Sequence, residues 1–198
     1  MFSTDCARLL DHLGLEGPVL VAGLSMGGYV ALDFYRRFPE RVSGLILAAT
    51  RAGSDSAEAK AGRDKAADLT RTDGVGAIAD SMLPKLLAPG NFENQRDLVE
   101  FLRDMMLATS EEGMIGALAA MRDRPDGTTG LGKIDVPTLI IHGQDDQLIP
   151  ASEAEAMQQA IGGSQLVLVP EAGHLPNLEQ PQVFNDAVRE FLMQFYDT

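Results

Sequence analysis

Two periodicities alternate along this chain, one of helices and one of buried strands. Over residues 3–13, Cys6, Leu9, Leu10 and Leu13 recur on one face at helical spacing. That spacing predicts a helix capped by Ser3 or Thr4 and closed by Gly14. At Pro18 the pattern changes, because Val19, Leu20, Val21 and Ala22 form an unbroken apolar run between proline and glycine. Such a run suits a short strand buried on both faces. Helical spacing returns at Met26, with Val30, Ala31, Phe34, Tyr35 and Phe38 inward, and Pro39 stops it. Val42 to Ala48 then reads as a second buried strand. Strand, helix and strand in this order make a right-handed crossover unit, and therefore a parallel sheet.

Between Thr50 and Lys133 the sequence predicts no strand. Leucines and methionines recur at helical spacing, with breaks at Gly74, at Pro89-Gly90 and near Ser110. Three or four helices are expected here, forming a cap inserted over residues 51–132. Its methionines fill apolar space, and methionine also gives the adaptable lining that a substrate lid uses. The sheet pattern resumes at residues 136–143, followed by a helix over 151–161, a short strand over 165–169 and a loop, EAGHLPNLEQ. A last amphipathic helix is expected from Gln182 to Tyr196, with Val183, Phe184, Ala187, Val188, Phe191, Leu192 and Phe195 on one stripe. The expected architecture is α/β: a core of residues 1–50 and 133–198, with about four parallel strands flanked by helices, and the helical cap between.

Composition narrows the function classes. A chain of 198 residues has room for one domain with a buried core. Its net charge of −13 argues against a polyanionic partner such as nucleic acid. The single Cys6 cannot form an internal disulfide and is expected half-buried on its helix. No segment has the pattern of a secretory leader or a membrane span, which points to a cytoplasmic protein.

The residues that carry chemistry lie at strand ends. Ser25 sits in Gly23-Leu24-Ser25-Met26-Gly27, between a buried strand and a helix. There a side chain at position 23 or 27 is expected to collide with neighbouring backbone, and glycine relieves both collisions. By composition alone a G-x-S-x-G would turn up on the order of once in fifteen such chains. The strand before it and the helix after it make chance far rarer. The hydroxyl is then expected above the strand ends, with the Met26 amide aimed where an oxyanion would form. A serine needs a base. Of the three histidines, His12 lies on the first helix and is expected exposed, and His142 closes a strand and is expected structural. His174 lies in the loop after the last strand, where loops of a parallel sheet converge on a site. Asp145 and Asp146 follow a strand end on the same rim; either suits a plain turn, and either could orient the imidazole. His142, Asp145, Asp146 and Glu171 lack the spacing of a metal site.

With these residues in place, the chain resembles the α/β-hydrolase superfamily, in its esterase, enol-lactonase and haloperoxidase-like branch. GLSMGG at 23–28, RFPERVSGLIL at 37–47, HGQDDQLIP at 142–150 and EAGHLPNLEQP at 171–181 carry the likeness. The resemblance implies Ser25 as nucleophile, His174 as general base and Asp146, four residues before Pro150, as the acid. It further implies hydrolysis of small esters or lactones through an acyl-enzyme, with no cofactor and no metal.

Superfamily members carry further strands ahead of the helix that begins this sequence, together with a loop that supplies a second oxyanion amide. Lacking them, the chain is expected to be a truncated hydrolase whose strand at 18–23 is an open apolar edge, inviting association into a homo-oligomer. One fewer oxyanion donor costs on the order of 10² to 10³ in rate. Two alternatives follow: a catalytically weak or silent interaction module, and a perhydrolase that uses the same triad with peroxide as acyl acceptor.

Overall fold

The apolar runs become four parallel strands in a computed structural model, which describes residues 2–196. Strand β1 covers Val19–Leu24, β2 Val42–Ala48, β3 Thr138–Gly143 and β4 Gln165–Val169. They lie in the order β1-β2-β3-β4. Every neighbouring pair is parallel, with Leu24 beside Ala48, Leu45 beside Thr138 and Gly143 beside Val169. All four carboxyl ends therefore meet on one rim.

Helices cover both faces of the sheet. Helices α1 (Phe2–His12), α2 (Met26–Arg37) and, further along the chain, α7 (Ala151–Ala160) enclose Phe34, Leu45, Leu47, Ile140 and Met157 on one side. On the other side α9 (Pro181–Tyr196) brings Phe191 against Ile46, Leu139, Ile141 and Val169. Leu45, Ile46 and Leu47 thus alternate between the two layers, as strand geometry requires. The central strands β2 and β3 are almost wholly buried. Strand β1, by contrast, is only half-buried, and Ala22 on it is exposed. It pairs with β2 alone among the described residues.

Helix α1 departs from its expected orientation. Cys6 is exposed, as are Leu9 and Leu13, and the buried face is formed by Ser3, Ala7 and, in part, Leu10. Small side chains at that face let α1 lie close against α2, and Ser3 is a helical residue whose hydroxyl donates to Asp33 instead of capping the helix. On α9 only part of the apolar stripe is covered: Phe184, Ala187 and Val188 pack inward, whereas Val183, Leu192 and Phe195 stay exposed.

Between β2 and β3 the chain is helical, without a strand among the described residues. Helix α3 (Ala57–Leu86) breaks at Gly74, whose φ is +78°, and α4 (Pro89–Asn94), α5 (Arg96–Leu107) and α6 (Glu111–Arg122) follow. Ser56 and Ser110 cap α3 and α6, each accepting the N–H three residues on. The segment has its own apolar cluster around Leu83, Leu87 and Leu102. Asp55, ahead of α3, fastens both ends of the segment. Its fully buried carboxylate pairs with Arg51 at 2.6 Å, Arg63 at 3.1 Å and Arg124 at 2.8 Å. Burial pushes the Asp55 carboxyl up, but hydrogen bonds from Arg124 and Arg63 outweigh it and hold the pKa below the ordinary value.

Candidate active site

Each strand end delivers one part of the site. Beyond β1, Ser25 takes φ 53° and ψ −113°, a left-handed backbone that a serine adopts only when its surroundings impose it. Three bonds impose it: Ser25 N–H donates to Ala48 O at 2.8 Å, and Ser25 O accepts from Thr50 Oγ1 at 2.8 Å and from Gly28 N–H at 2.9 Å.

The glycine requirement differs in one position from expectation. A Cβ on Gly23 would sit 2.2 Å from Gly27 O, so that position is closed to any other residue. A Cβ on Gly27 meets nothing within 4 Å. The second constraint falls instead on Gly28, whose Cβ would lie 2.4 Å from Thr50 Oγ1. The reason is that Thr50, just past the end of β2, occupies the space beneath the turn. Met26 opens α2, and among the described residues its N–H has no acceptor. It stays available beside the serine, at the positive end of the helix.

Beyond β4, the loop places His174 with its Nε2 2.8 Å from Ser25 Oγ and its Nδ1 2.7 Å from Asp146 Oδ2. A carboxylate only accepts, so Nδ1 carries the proton and Nε2 accepts from the serine hydroxyl. Beyond β3, Asp146 is held in turn by Leu148 N–H at 2.8 Å and Ile149 N–H at 3.0 Å, both on Oδ1. Its side chain is fully buried, whereas Asp145 is exposed and contributes its backbone N–H to Ala172 O at 2.9 Å. Burial pushes the Asp146 carboxyl up, but hydrogen bonds from His142 and His174 prevail and hold it well below the usual carboxylate range.

His142 is the neighbour that sequence reasoning underrated. It is fully buried, as expected of a structural residue, and its Nε2 donates to Ile149 O at 2.8 Å while lying 3.3 Å from Asp146 Oδ2. It therefore braces the turn that carries the aspartate. Thr50, Gln147 and Glu179 were likewise not anticipated as supports. For Thr50 the available signal was its place just past the end of the neighbouring strand. His12 is exposed at the end of α1, away from these residues, and Glu171 contributes its backbone carbonyl rather than a ligand set. A cavity of about 940 Å³ runs along α2 and borders Met26, Tyr29, Arg51 and Arg124, but neither Ser25 nor His174 lines it.

Residues 2–187 match the model of the Alpha/beta hydrolase family. The chain belongs to that family. Among curated hydrolases it is 33% identical over 192 residues to 3-oxoadipate enol-lactonase 2 of Acinetobacter baylyi, covering 97% of this chain and 70% of that one. It is 27% identical over 208 residues to a pimeloyl-[acyl-carrier protein] methyl ester esterase of Neisseria meningitidis, covering 96% of this chain and 76% of that protein. A solved thermophilic esterase from Thermogutta terrifontis, with malate bound, superposes with a TM-score of 0.94 at 44% identity, covering 98% of this hydrolase and 71% of the esterase. No helix among the described residues of this hydrolase is long and apolar enough to cross a membrane.

Proposed function

We propose that this hydrolase cleaves small carboxylic esters or lactones through Ser25, His174 and Asp146. The observation that carries the reading is the unbroken hydrogen-bond chain from Ser25 Oγ through the imidazole to a buried, ionised carboxylate. Ser25 Oγ attacks the carbonyl carbon as His174 Nε2 takes its proton. Asp146 holds the imidazole in the tautomer this requires and stabilises the imidazolium that forms. The Met26 N–H, aided by the positive end of α2, receives the oxyanion. His174 then gives its proton to the leaving oxygen, and the same nitrogen activates water to release the acid from the acyl-enzyme. Every proton in the cycle moves through one imidazole, so the mechanism calls for no metal or organic cofactor. In this reading the helical segment, residues 51–132, is the cap over the reacting face, and Gly23 and Gly28 hold the serine turn open.

The enol-lactonase and esterase relatives support esters and lactones as the substrate class. The test combines a fluorophosphonate probe with a short-chain p-nitrophenyl ester assay on the wild type and on Ser25→Ala. Labelling and turnover in the wild type, both lost in Ser25→Ala, are expected. A folded wild type that neither labels nor turns over would sink the proposal in favour of a silent interaction module.

A further inference from the structure

Glu179, on the short helix α8 (Pro176–Glu179), is a carboxylate only 5% exposed, with no lysine or arginine paired to it among the described residues. Its charge is met by N–H groups alone. Oε1 accepts from Gly173 N–H at 2.8 Å and from Leu175 N–H at 3.2 Å, the two residues that flank His174. Oε2 accepts from Ala88 N–H at 2.7 Å and from Asn91 Nδ2 at 2.8 Å, at the junction of α3 and α4. An ionised carboxyl offers about four acceptor sites, and all are used here. The two pairs of donors belong to different parts of the fold: one pair brackets the imidazole, and the other begins the second half of the helical segment.

Other bonds close the same seam. His174 N–H donates to Leu86 O at 3.0 Å, and Asn91 Nδ2 also donates to Glu171 O at 2.8 Å. Gln147, next to Asp146, donates to Pro84 O at 3.1 Å and to Leu87 O at 3.0 Å. Gly173 packs so tightly that a Cβ there would lie 2.5 Å from Ala88 N. Among the described residues, Glu179 is the only side chain in this seam that binds both flanks of His174 and the helical junction at once.

We propose that Glu179 is a positioning residue for the base, pinning the His174 loop to the α3–α4 junction so that one carboxylate sets the imidazole and seats the helical segment. The inference rests on the serine-hydrolase reading above. Glu179 touches no reacting atom and acts by fixing the backbone on both sides of the histidine. His174 meets Ser25 through Nε2 and Asp146 through Nδ1, so a swing of the loop cannot preserve both contacts. Misplacement by about 1 Å costs on the order of 10² in rate. A neutral side chain cannot replace the carboxylate: Glu179→Gln turns an NH2 group toward one pair of N–H donors. Glu179→Asp keeps the charge but is one methylene too short to reach both pairs.

The test measures p-nitrophenyl ester turnover of the wild type, Ser25→Ala, Glu179→Gln, Glu179→Asp, His174→Ala and the double variant His174→Ala/Glu179→Gln, at a temperature where circular dichroism shows each folded. For Glu179→Gln a fall in kcat of about 10- to 100-fold is expected, larger than any change in KM, because the imidazole acts in the chemical step while the helical segment keeps its other bonds to the same seam. Glu179→Asp should recover part of the loss, and the double variant should match His174→Ala. A folded Glu179→Gln with kcat within about twofold of wild type overturns the proposal. So does a double variant slower than His174→Ala by the same factor that separates Glu179→Gln from wild type, since Glu179 would then act independently of His174. If Glu179→Gln does not fold, Asn91→Ala removes one of the four donors and should lower kcat several-fold; an unchanged kcat overturns the pin. If the wild type itself turns over no ester, the serine-hydrolase reading falls. The pin is then read from the downfield proton resonance of His174 Nδ1–H, assigned by its loss in His174→Ala. Its broadening in Glu179→Gln supports the pin, and an unchanged resonance overturns it.

Discussion

The Asp55 cluster sets the sharpest expectation for stability, because Asp55→Asn removes one charge and strands three. Asp55 is fully buried, and its partners Arg124, Arg63 and Arg51 are 9%, 27% and 23% exposed. Breaking a buried pair by deleting one partner costs about 3–5 kcal/mol, since the remaining charges stay desolvated without compensation. Arg51 and Arg63 retain some access to water and Arg124 has almost none, which places the cost near the lower end, at about 3 kcal/mol. For a domain of this length, each kcal/mol shifts Tm by about 2–4 °C, so a fall of roughly 6–12 °C is expected.

Asp186→Ala is the control, because Arg189 and Asp186 form a pair that is 63% and 43% exposed. Exposed pairs contribute at most about 1 kcal/mol, and salt screens them. Urea and thermal unfolding followed by circular dichroism should therefore separate the two variants widely at low salt. In about 0.5 M NaCl the Asp186 effect should vanish while the Asp55 effect persists. The pH dependence has a definite sign. The folded-state pKa of Asp55 is depressed, so its contribution is full above the unfolded value of about 3.9 and is lost as pH falls through the folded value. The gap between wild type and Asp55→Asn should accordingly close below about pH 4. An Asp55→Asn protein within about 1 kcal/mol of wild type at pH 7 would show that the arginines relax into solvent, and would refute the account.

The remaining expectations concern the serine turn, the acid and the sheet edge. Gly28→Ala forces a methyl into Thr50 and should cost about 1–3 kcal/mol by unfolding measurements, whereas Gly27→Ala meets open space and should be neutral or mildly stabilising; equal losses would contradict the contact geometry. Asp146→Asn keeps an acceptor for Leu148 and Ile149 but loses the charge facing His174, and kcat should fall on the order of 10³ to 10⁴-fold in the ester assay with the fold intact. Because its depressed pKa keeps Asp146 ionised, Asp146 should add no ionisation to the acid limb of log kcat/KM, whose slope should stay near one. A slope of about two above roughly pH 4 would contradict that. We also propose that the edge of β1 that meets no strand among the described residues pairs with a second copy of the chain; sedimentation showing a stable monomer at micromolar concentration refutes it.

What the sequence made legible was whatever depends on one strand or helix and its own period. The four strands, the Gly74 break and the serine turn follow from runs and punctuation that burial and backbone sterics enforce locally. His174 and the Asp145-Asp146 pair were placed on the same rim for a similar reason, since parallel strands send every carboxyl end to one side. The misses share the opposite character. Periodicity on α1 favoured Cys6, Leu9 and Leu13 as the buried face, but apolarity says only that a side chain gains from burial, not that a neighbour exists to bury it. Ser3 and Ala7 won because their small size allows α2 to approach. Gly27 was assigned the collision that belongs to Gly28, because the colliding atom is on Thr50, a strand away and 22 residues on in sequence. Glu179 reads as an ordinary polar residue before Gln180-Pro181, and only the folded chain brings Ala88 and Asn91 to it. Supports that act between distant segments leave no periodic trace. Under the proposed mechanism they are the groups that hold the reacting atoms within hydrogen-bond distance, and so the rate should be more sensitive to Thr50, His142 and Glu179 than the local sequence around each of them suggests.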